Sequence, residues 1–341
     1  MVGRSHYSLI FSRTMSFPHV NLIFGGASLG GMEAEFTSAS DAGEALSLLE
    51  EGDVKTIDTA RIYTNSEHFL GEVNGASRFA IDTKYPGGFA PEPSSKEDVI
   101  ASIEESLREL KTDQINVYYI HAPDRRVPLA DLLSGLNTAY EAGKFKRLGL
   151  SNFLASEVEE VLRIARENNY ILPTVYQGNY NAVARHSEKA LLPLLRANNI
   201  SYYAYSPIAG GFLTKDVEQL NAGGEVGGRW DPKTVTGGWY TALYGKEGML
   251  QGLRLWGSIA EEAGIGKAEL AYRWVAFHSA LDGAKGDSLI FGARNGGQIK
   301  GTLAGLAKGP LPRGVVEDIE RVWKIVEVDA PVDNFNGSGS K

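Results

Sequence analysis

Cysteine is absent from all 341 residues. That excludes disulfides, thiolate metal sites and a cysteine nucleophile, and is compatible with a reducing compartment such as the cytoplasm, the expected location. No apolar run approaches the roughly 18 residues of a membrane span, which predicts a soluble chain without membrane partners. The formal charge is -8 and no Lys/Arg cluster forms a basic stripe, so nucleic acid is not an expected partner. His6, His19, His68, His186 and His278 lack metal-ligand spacing with one another or with acidic clusters, and no metal is expected.

A hydrophobic content of 43% and a charged content of 22% suit a globular protein with a substantial core. Residues 1–18 read as an irregular N-terminal segment. The first part contains Arg4 and Arg13 but no acid, a faint resemblance to a transit peptide, and Met15 offers an alternative start. Residues 19–335 read as one domain, and residues 336–341 as a flexible Gly/Ser tail outside the fold.

Within that domain, short β-rich runs alternate with stretches of helical period. Strands are predicted at 22–25, 56–58, 79–83, 116–120, 147–150, 174–177, 201–205 and 288–291. Helices are predicted at 39–49, 96–110, 130–141, 156–168, 188–197 and 267–278, with Ser95 suited to cap the second. Eight β/α units favour a (β/α)8 TIM barrel over a doubly wound sheet. The Gly-rich turn at 25–31 also lacks the Gly-x-Gly-x-x-Gly spacing of a dinucleotide-binding turn. Residues 210–250, rich in glycine and aromatics, read as a long loop after the seventh strand, and an extra C-terminal helix is expected.

Barrel enzymes build their sites at the C-terminal ends of the strands, where Asp58, Lys84, His121, Ser151, Asn152, Gln177 and Tyr205 fall, with Tyr63 in the loop after Asp58. Each alone has a structural reading: Lys84 as a surface lysine, His121 as a hydrogen-bonded core histidine. Together they support carbonyl reduction. A phenol with a pKa near ~10 is a poor acid unless a cation stabilises its phenolate. Lys84 is that cation, Asp58 holds it charged, His121 orients a carbonyl and Tyr63 donates the proton, with no metal required.

At these positions the chain resembles the aldo-keto reductase superfamily, and most closely its aflatoxin-aldehyde reductase branch. The resemblance runs through His121-Ala122-Pro123-Asp124, Gly149-Leu150-Ser151-Asn152, Thr174-Val175-Tyr176-Gln177-Gly178 and Ala204-Tyr205-Ser206-Pro207-Ile208-Ala209-Gly210-Gly211, and covers residues 20–335. It implies a (β/α)8 fold, a nicotinamide cofactor and the catalytic tetrad Asp58, Tyr63, Lys84 and His121.

By the same resemblance Ser151, Asn152 and Gln177 would bind the nicotinamide carboxamide, and Tyr205 would stack on the ring. Ser206, Pro207, Ile208, Ala209, Gly210, Gly211, Leu213 and Lys215 would wrap the pyrophosphate; Arg229 matches a cofactor-contacting arginine beyond that loop, and Gly26 and Asp58 are further expected cofactor contacts. Gly292, Ala293, Arg294, Gln298 and Thr302 would form the last cofactor segment, with Arg294 suited to the 2′-phosphate of NADPH. Gly301 and Thr302 stand where relatives carry an acid or amide pair for adenine, so NADPH is expected ahead of NADH on Arg294 alone. The substrate mouth is expected at Ala27, Tyr63, His121, Trp230, Trp239 and Tyr240. No arginine occurs at 240–243 or 332–335, where some relatives hold acidic aldehydes, which predicts neutral aromatic or hydrophobic carbonyl substrates. The alternatives are a non-catalytic nicotinamide-binding regulatory subunit, as in potassium-channel β-subunits, and a Schiff-base lyase using Lys84. Related proteins include monomers and homodimers, and either state is expected here.

Overall fold

The alternation of side chains along a strand decides which residues of each apolar run face the middle of the molecule and which face its helices. In the computed structural model, which describes residues 20–30, 35–221, 230–231 and 233–338, eight strands carry that alternation. They are β1 (Asn21–Gly25), β2 (Thr56–Asp58), β3 (Ala80–Tyr85), β4 (Ile115–Ile120), β5 (Phe145–Ser151), β6 (Pro173–Asn179), β7 (Ser201–Tyr205) and β8 (Ser288–Phe291). All pair in parallel in sequence order, and β1 closes on β8 through Phe24↔Phe291. The chain is therefore a (β/α)8 barrel.

Two cores follow from the period of two. Ile23, Val117, Tyr119, Val175, Tyr203 and Ile290 point inward and fill the barrel. Their neighbours Phe24, Tyr118, Tyr176, Tyr202 and Leu289 point outward against the helices. Because both faces are covered, the strands read as near-continuous apolar runs, and a polar residue such as Asp58 or Lys84 stands out against them.

Helix boundaries follow local chemistry. Ser95 accepts from the backbone N–H of Asp98 and the Asp98 carboxylate accepts from the N–H of Ser95, so Lys96–Leu110 starts where its capping box predicts. The predicted helix at 188–197 is shorter: a 3-10 turn at His186–Glu188 precedes Leu191–Ala197. Pro193 has no N–H to donate and fits only the first turn, which sets the start just before it.

The segment read as a long loop is largely helical among its described residues, with Val217–Asn221, Val235–Tyr244 and the first turn of Glu247–Ala263. Its order comes from aromatic packing of Phe212, Trp230, Tyr240 and Tyr244 rather than from a polar/apolar period. The C-terminal helix is Arg313–Val326, and it crosses Glu247–Ala263 closely enough that a Cβ at Gly252 would lie 2.2 Å from Val326. No helix among the described residues is long and apolar enough to cross a membrane. The N-terminal segment expected at 1–18 lies outside the described residues.

Candidate active site

Strand β3 runs two residues beyond the predicted end at Thr83, pairing Lys84 with Tyr119 and Tyr85 with Ile120 of β4. A lysine charge normally ends a buried strand; here the charge is matched inside the barrel. The Lys84 Nζ donates to Asp58 Oδ2 at 2.6 Å and to the Thr59 carbonyl at 2.7 Å, and the side chain is fully buried. Burial pushes the Lys84 amine down, but the Asp58 carboxylate and then the Tyr63 phenol outweigh it and leave the amine above its ordinary value.

Tyr63 reaches the same point from the loop after β2. Lys84 Nζ lies 5.1 Å from the centroid of its ring. His121, at the end of β4, meets the Tyr63 ring edge-on at 5.7 Å. Burial and then the charge of Lys84 hold the His121 imidazole well below its ordinary range, so the ring is neutral at physiological pH. Its Nδ1 is buried and has no hydrogen-bond partner among the described residues. The structure thus assembles one acid, one cation, one neutral imidazole and one phenol on β2, β3, β4 and the loop between β2 and β3.

The next strands extend this cluster through amides. Gln177 of β6 donates from Nε2 to Asp58 Oδ1 at 2.8 Å, a link between the expected carboxamide site and the tetrad that strand-end position alone did not reveal. Asn152 follows β5 in a left-handed conformation (φ 62°) and donates to the His121 carbonyl at 2.8 Å and to Ser151 Oγ at 3.1 Å. Tyr205 of β7 donates its phenolic proton to Asn152 Oδ1 at 2.7 Å. Ser151, Asn152, Gln177 and Tyr205 therefore line one side of the barrel mouth.

The loop after β7 has an unusual backbone. Ser206, Ala209, Gly210 and Gly211 all adopt positive φ. A Cβ at Gly210 would lie 2.0 Å from the Tyr240 ring, so glycine is required there by conformation and by space. Trp230 donates from its indole to the Gly210 carbonyl at 2.9 Å. Trp230 and Tyr240, expected at the substrate mouth, are buried beneath this loop, while Trp239 and Ala27 are half-buried. In this arrangement Trp230 and Tyr240 shape the loop rather than present an open face.

Lys215, where the same loop ends, is half-buried. Burial and then the charge of Arg294 lower its amine. Two cations thus approach one another from the loops after β7 and β8. Among the described residues a Cβ at Gly292 would meet nothing within 4 Å, and the neighbouring helix Gly296–Leu306 is capped by Asn295. Open space, left-handed loop backbone and paired cations fit the phosphates of a dinucleotide. Gly301 is exposed and Thr302 half-buried on that helix; Gln298 accepts from the Arg294 N–H. Arg229 lies outside the described residues.

Two aromatic side chains missed in the sequence complete the mouth. Phe89 packs edge-on against His121 at 5.0 Å and Phe335 packs against Phe89 at 5.1 Å. The expected flexible tail is also anchored at its start, because Asn336 donates to the Asn152 carbonyl at 2.9 Å and the Asn334 N–H donates to Tyr205. A Gly/Ser composition carries no trace of such contacts. Arg125 lies over Phe335, yet its guanidinium is occupied by Glu157 and Asn336.

The sequence model of the aldo/keto reductase family matches residues 21–324. The chain is similar to the oxidoreductase sirO of Leptosphaeria maculans, with 36% identity over 318 residues, 91% of this chain and 95% of that protein. It is similar to aldo-keto reductase family 7 member A3 of Homo sapiens, 35% identical over 323 residues, 89% of this chain and 95% of that one. Aflatoxin B1 aldehyde reductase member 2 of Rattus norvegicus is 33% identical over 332 residues, 90% of this chain and 86% of that protein.

Proposed function

The chain belongs to the aldo/keto reductase family, and from that premise we propose that it is an NADPH-dependent reductase of neutral aromatic or hydrophobic aldehydes and ketones. The observation that carries the reading is the buried Asp58–Lys84 pair set 5.1 Å from the Tyr63 ring and beside a neutral His121.

When bound, the reduced nicotinamide supplies a hydride to the carbonyl carbon. Ser151, Asn152 and Gln177 would hold its carboxamide, Tyr205 would pack on its ring, and the loop 206–215 with Lys215 and Arg294 would meet the phosphates. His121 offers a neutral hydrogen bond to the substrate oxygen. Tyr63 gives its hydroxyl proton to that oxygen as negative charge develops, and Lys84 stabilises the phenolate left behind. Asp58 keeps Lys84 charged and in place. The same pairing opposes use of Lys84 as an amine nucleophile, which disfavours the Schiff-base reading.

Substrate preference rests on the mouth. His121, Phe89 and Phe335 offer ring edges and faces, while Arg125, which lies over the Phe335 ring, is committed to Glu157. Preference for NADPH rests on Lys215 and Arg294. The absence of cysteine is compatible with a cytoplasmic enzyme. The protein acts on a small-molecule carbonyl as a monomer or homodimer.

The test follows cofactor oxidation by absorbance with NADPH and NADH across benzaldehyde-type substrates and succinic semialdehyde. Tyr63→Phe is expected to lower kcat by about 10²–10⁴-fold, the range of a positioned general acid. A variant as active as the native protein would rule out Tyr63 as the donor; a strong preference for succinic semialdehyde would overturn the substrate class.

A further inference from the structure

Beneath the tetrad lies a second carboxyl that the reaction above does not use. Strands β2 and β3 pair with Asp58 opposite Asp82, and the period of two sets Asp82 one layer below Lys84 on the inward face. Like charges directly opposite one another repel. Asp82 is fully buried. Its Oδ1 accepts from Asn116 Nδ2 at 2.6 Å and from the Val117 N–H at 3.2 Å, while its Oδ2 has no hydrogen-bond partner among the described residues.

The groups facing it come from five strands. Asp58 (β2), Lys84 (β3), Tyr119 (β4), Arg147 (β5) and Tyr203 (β7) all interact electrostatically with Asp82. Lys84 is committed to Asp58. Arg147 directs its hydrogen bonds to Thr174 and to the Tyr203 hydroxyl. The Tyr119 ring lies 5.7 Å from Lys84 Nζ and its buried hydroxyl is also unpartnered among the described residues. Asp82 is thus the carboxyl without a direct cationic partner. Burial and then Asp58 push it up to about 7, against the opposing pull of Asn116, Lys84 and Arg147.

We propose that Asp82 is a positioning residue that sets the strength of the Tyr63 proton donor, by gaining or losing one proton beneath the Asp58–Lys84 pair. The inference rests on the assignment of Tyr63 as donor. When Asp82 is neutral, Lys84 is offset by Asp58 alone, and its charge favours the Tyr63 phenolate that forms as the proton leaves. When Asp82 is ionised, a second negative charge opposes Lys84, and the phenolate is harder to form. The proton Asp82 loses passes to solvent, and no redox change accompanies it.

The experiment is single-turnover NADPH oxidation by a benzaldehyde-type substrate from about pH 5 to about pH 9. The native protein is expected to slow several-fold as pH rises through one titration near neutrality, and Asp82→Asn to remain on the faster, acidic plateau throughout. Asn116→Ala keeps Asp82 but removes a hydrogen bond that favours its ionised form, so the step is expected at higher pH. That variant also tests the idea if Asp82→Asn fails to fold. A structural role alone would not move a midpoint. An Asp82→Asn protein that keeps the native step, or an Asn116→Ala protein with an unmoved midpoint, overturns the inference about Asp82 alone. A Tyr63→Phe protein of native activity overturns the donor assignment beneath it.

Discussion

Asp58→Asn should destabilise the folded protein and disable it through one buried contact. The substitution keeps the shape of the side chain and removes its charge. Lys84 is fully buried, and Asp58 Oδ2 is its partner at 2.6 Å. At an effective dielectric of about 20, the Coulomb attraction at that range is roughly 6 kcal/mol before desolvation is subtracted. Removing one member of a buried pair typically costs about 3–5 kcal/mol, because the other charge stays behind. The lower end, ~3 kcal/mol, is expected here because the Thr59 carbonyl still accepts from Lys84 and Asp82 lies nearby. Lys84→Met should cost a similar ~3 kcal/mol, leaving Asp58 with the Gln177 amide as its side-chain partner among the described residues. The double variant removes both charges, so its cost should fall below the sum of the two by roughly 2–3 kcal/mol, within the range for residues in contact. The assay is urea unfolding followed by both tryptophan fluorescence and far-UV circular dichroism, with coincident transitions required before free energies are compared. An Asp58→Asn loss under ~1 kcal/mol, or additive losses in the double variant, would refute the buried pair as the stabilising contact.

Two further predictions concern the loop and the imidazole. Gly210→Ala brings a Cβ to 2.0 Å from the Tyr240 ring at φ 63°, whereas at Gly211 (φ 96°) the nearest atom is 3.6 Å away. Gly211→Ala should therefore cost only backbone strain, about 1–3 kcal/mol, and Gly210→Ala more than that, together with a larger rise in Kd for NADPH by fluorescence titration; equal effects would contradict the packing. His121 is neutral in the fold but takes up a proton when unfolded, so its contribution is present above the unfolded pKa near ~6.5 and is lost as pH falls below it. His121→Gln should flatten the decline of Tm between about pH 6.5 and 5 relative to the native protein, and an unchanged slope would show that His121 is not the group responsible.

The residues that sequence reading reached share one property. Asp58, Lys84, His121 and Gln177 each interrupt or end an apolar strand, and a polar group in that position is visible without coordinates. The barrel itself was legible for a related reason, since its strands are covered on both faces and its helices carry amphipathic periods and caps such as Ser95. Phe89 and Phe335 were not legible. An aromatic residue in a glycine-rich turn or near a chain end has no period to betray it, and only the meeting of distant segments puts Phe335 against Phe89 and Phe89 against His121. Trp230 and Tyr240 show the converse: aromatic composition marked the segment, but packing against Gly210 gives them a supporting position.

Asp82 draws the same line inside one strand. From Asp82-Thr83-Lys84 alone, alternation puts both charged side chains on one face of β3. That face became the closed interior only when β1 paired with β8, and the register that sets Asp82 opposite Asp58 exists only in the assembled sheet. Sequence by itself determined the alternating elements, the kinds of chemical group available and the strand ends that carry them, because these depend on local period and side-chain chemistry. The tertiary structure alone decided which charges share the low-dielectric interior and which stay unpaired, because desolvation and Coulomb interactions depend on distance through space rather than separation along the chain.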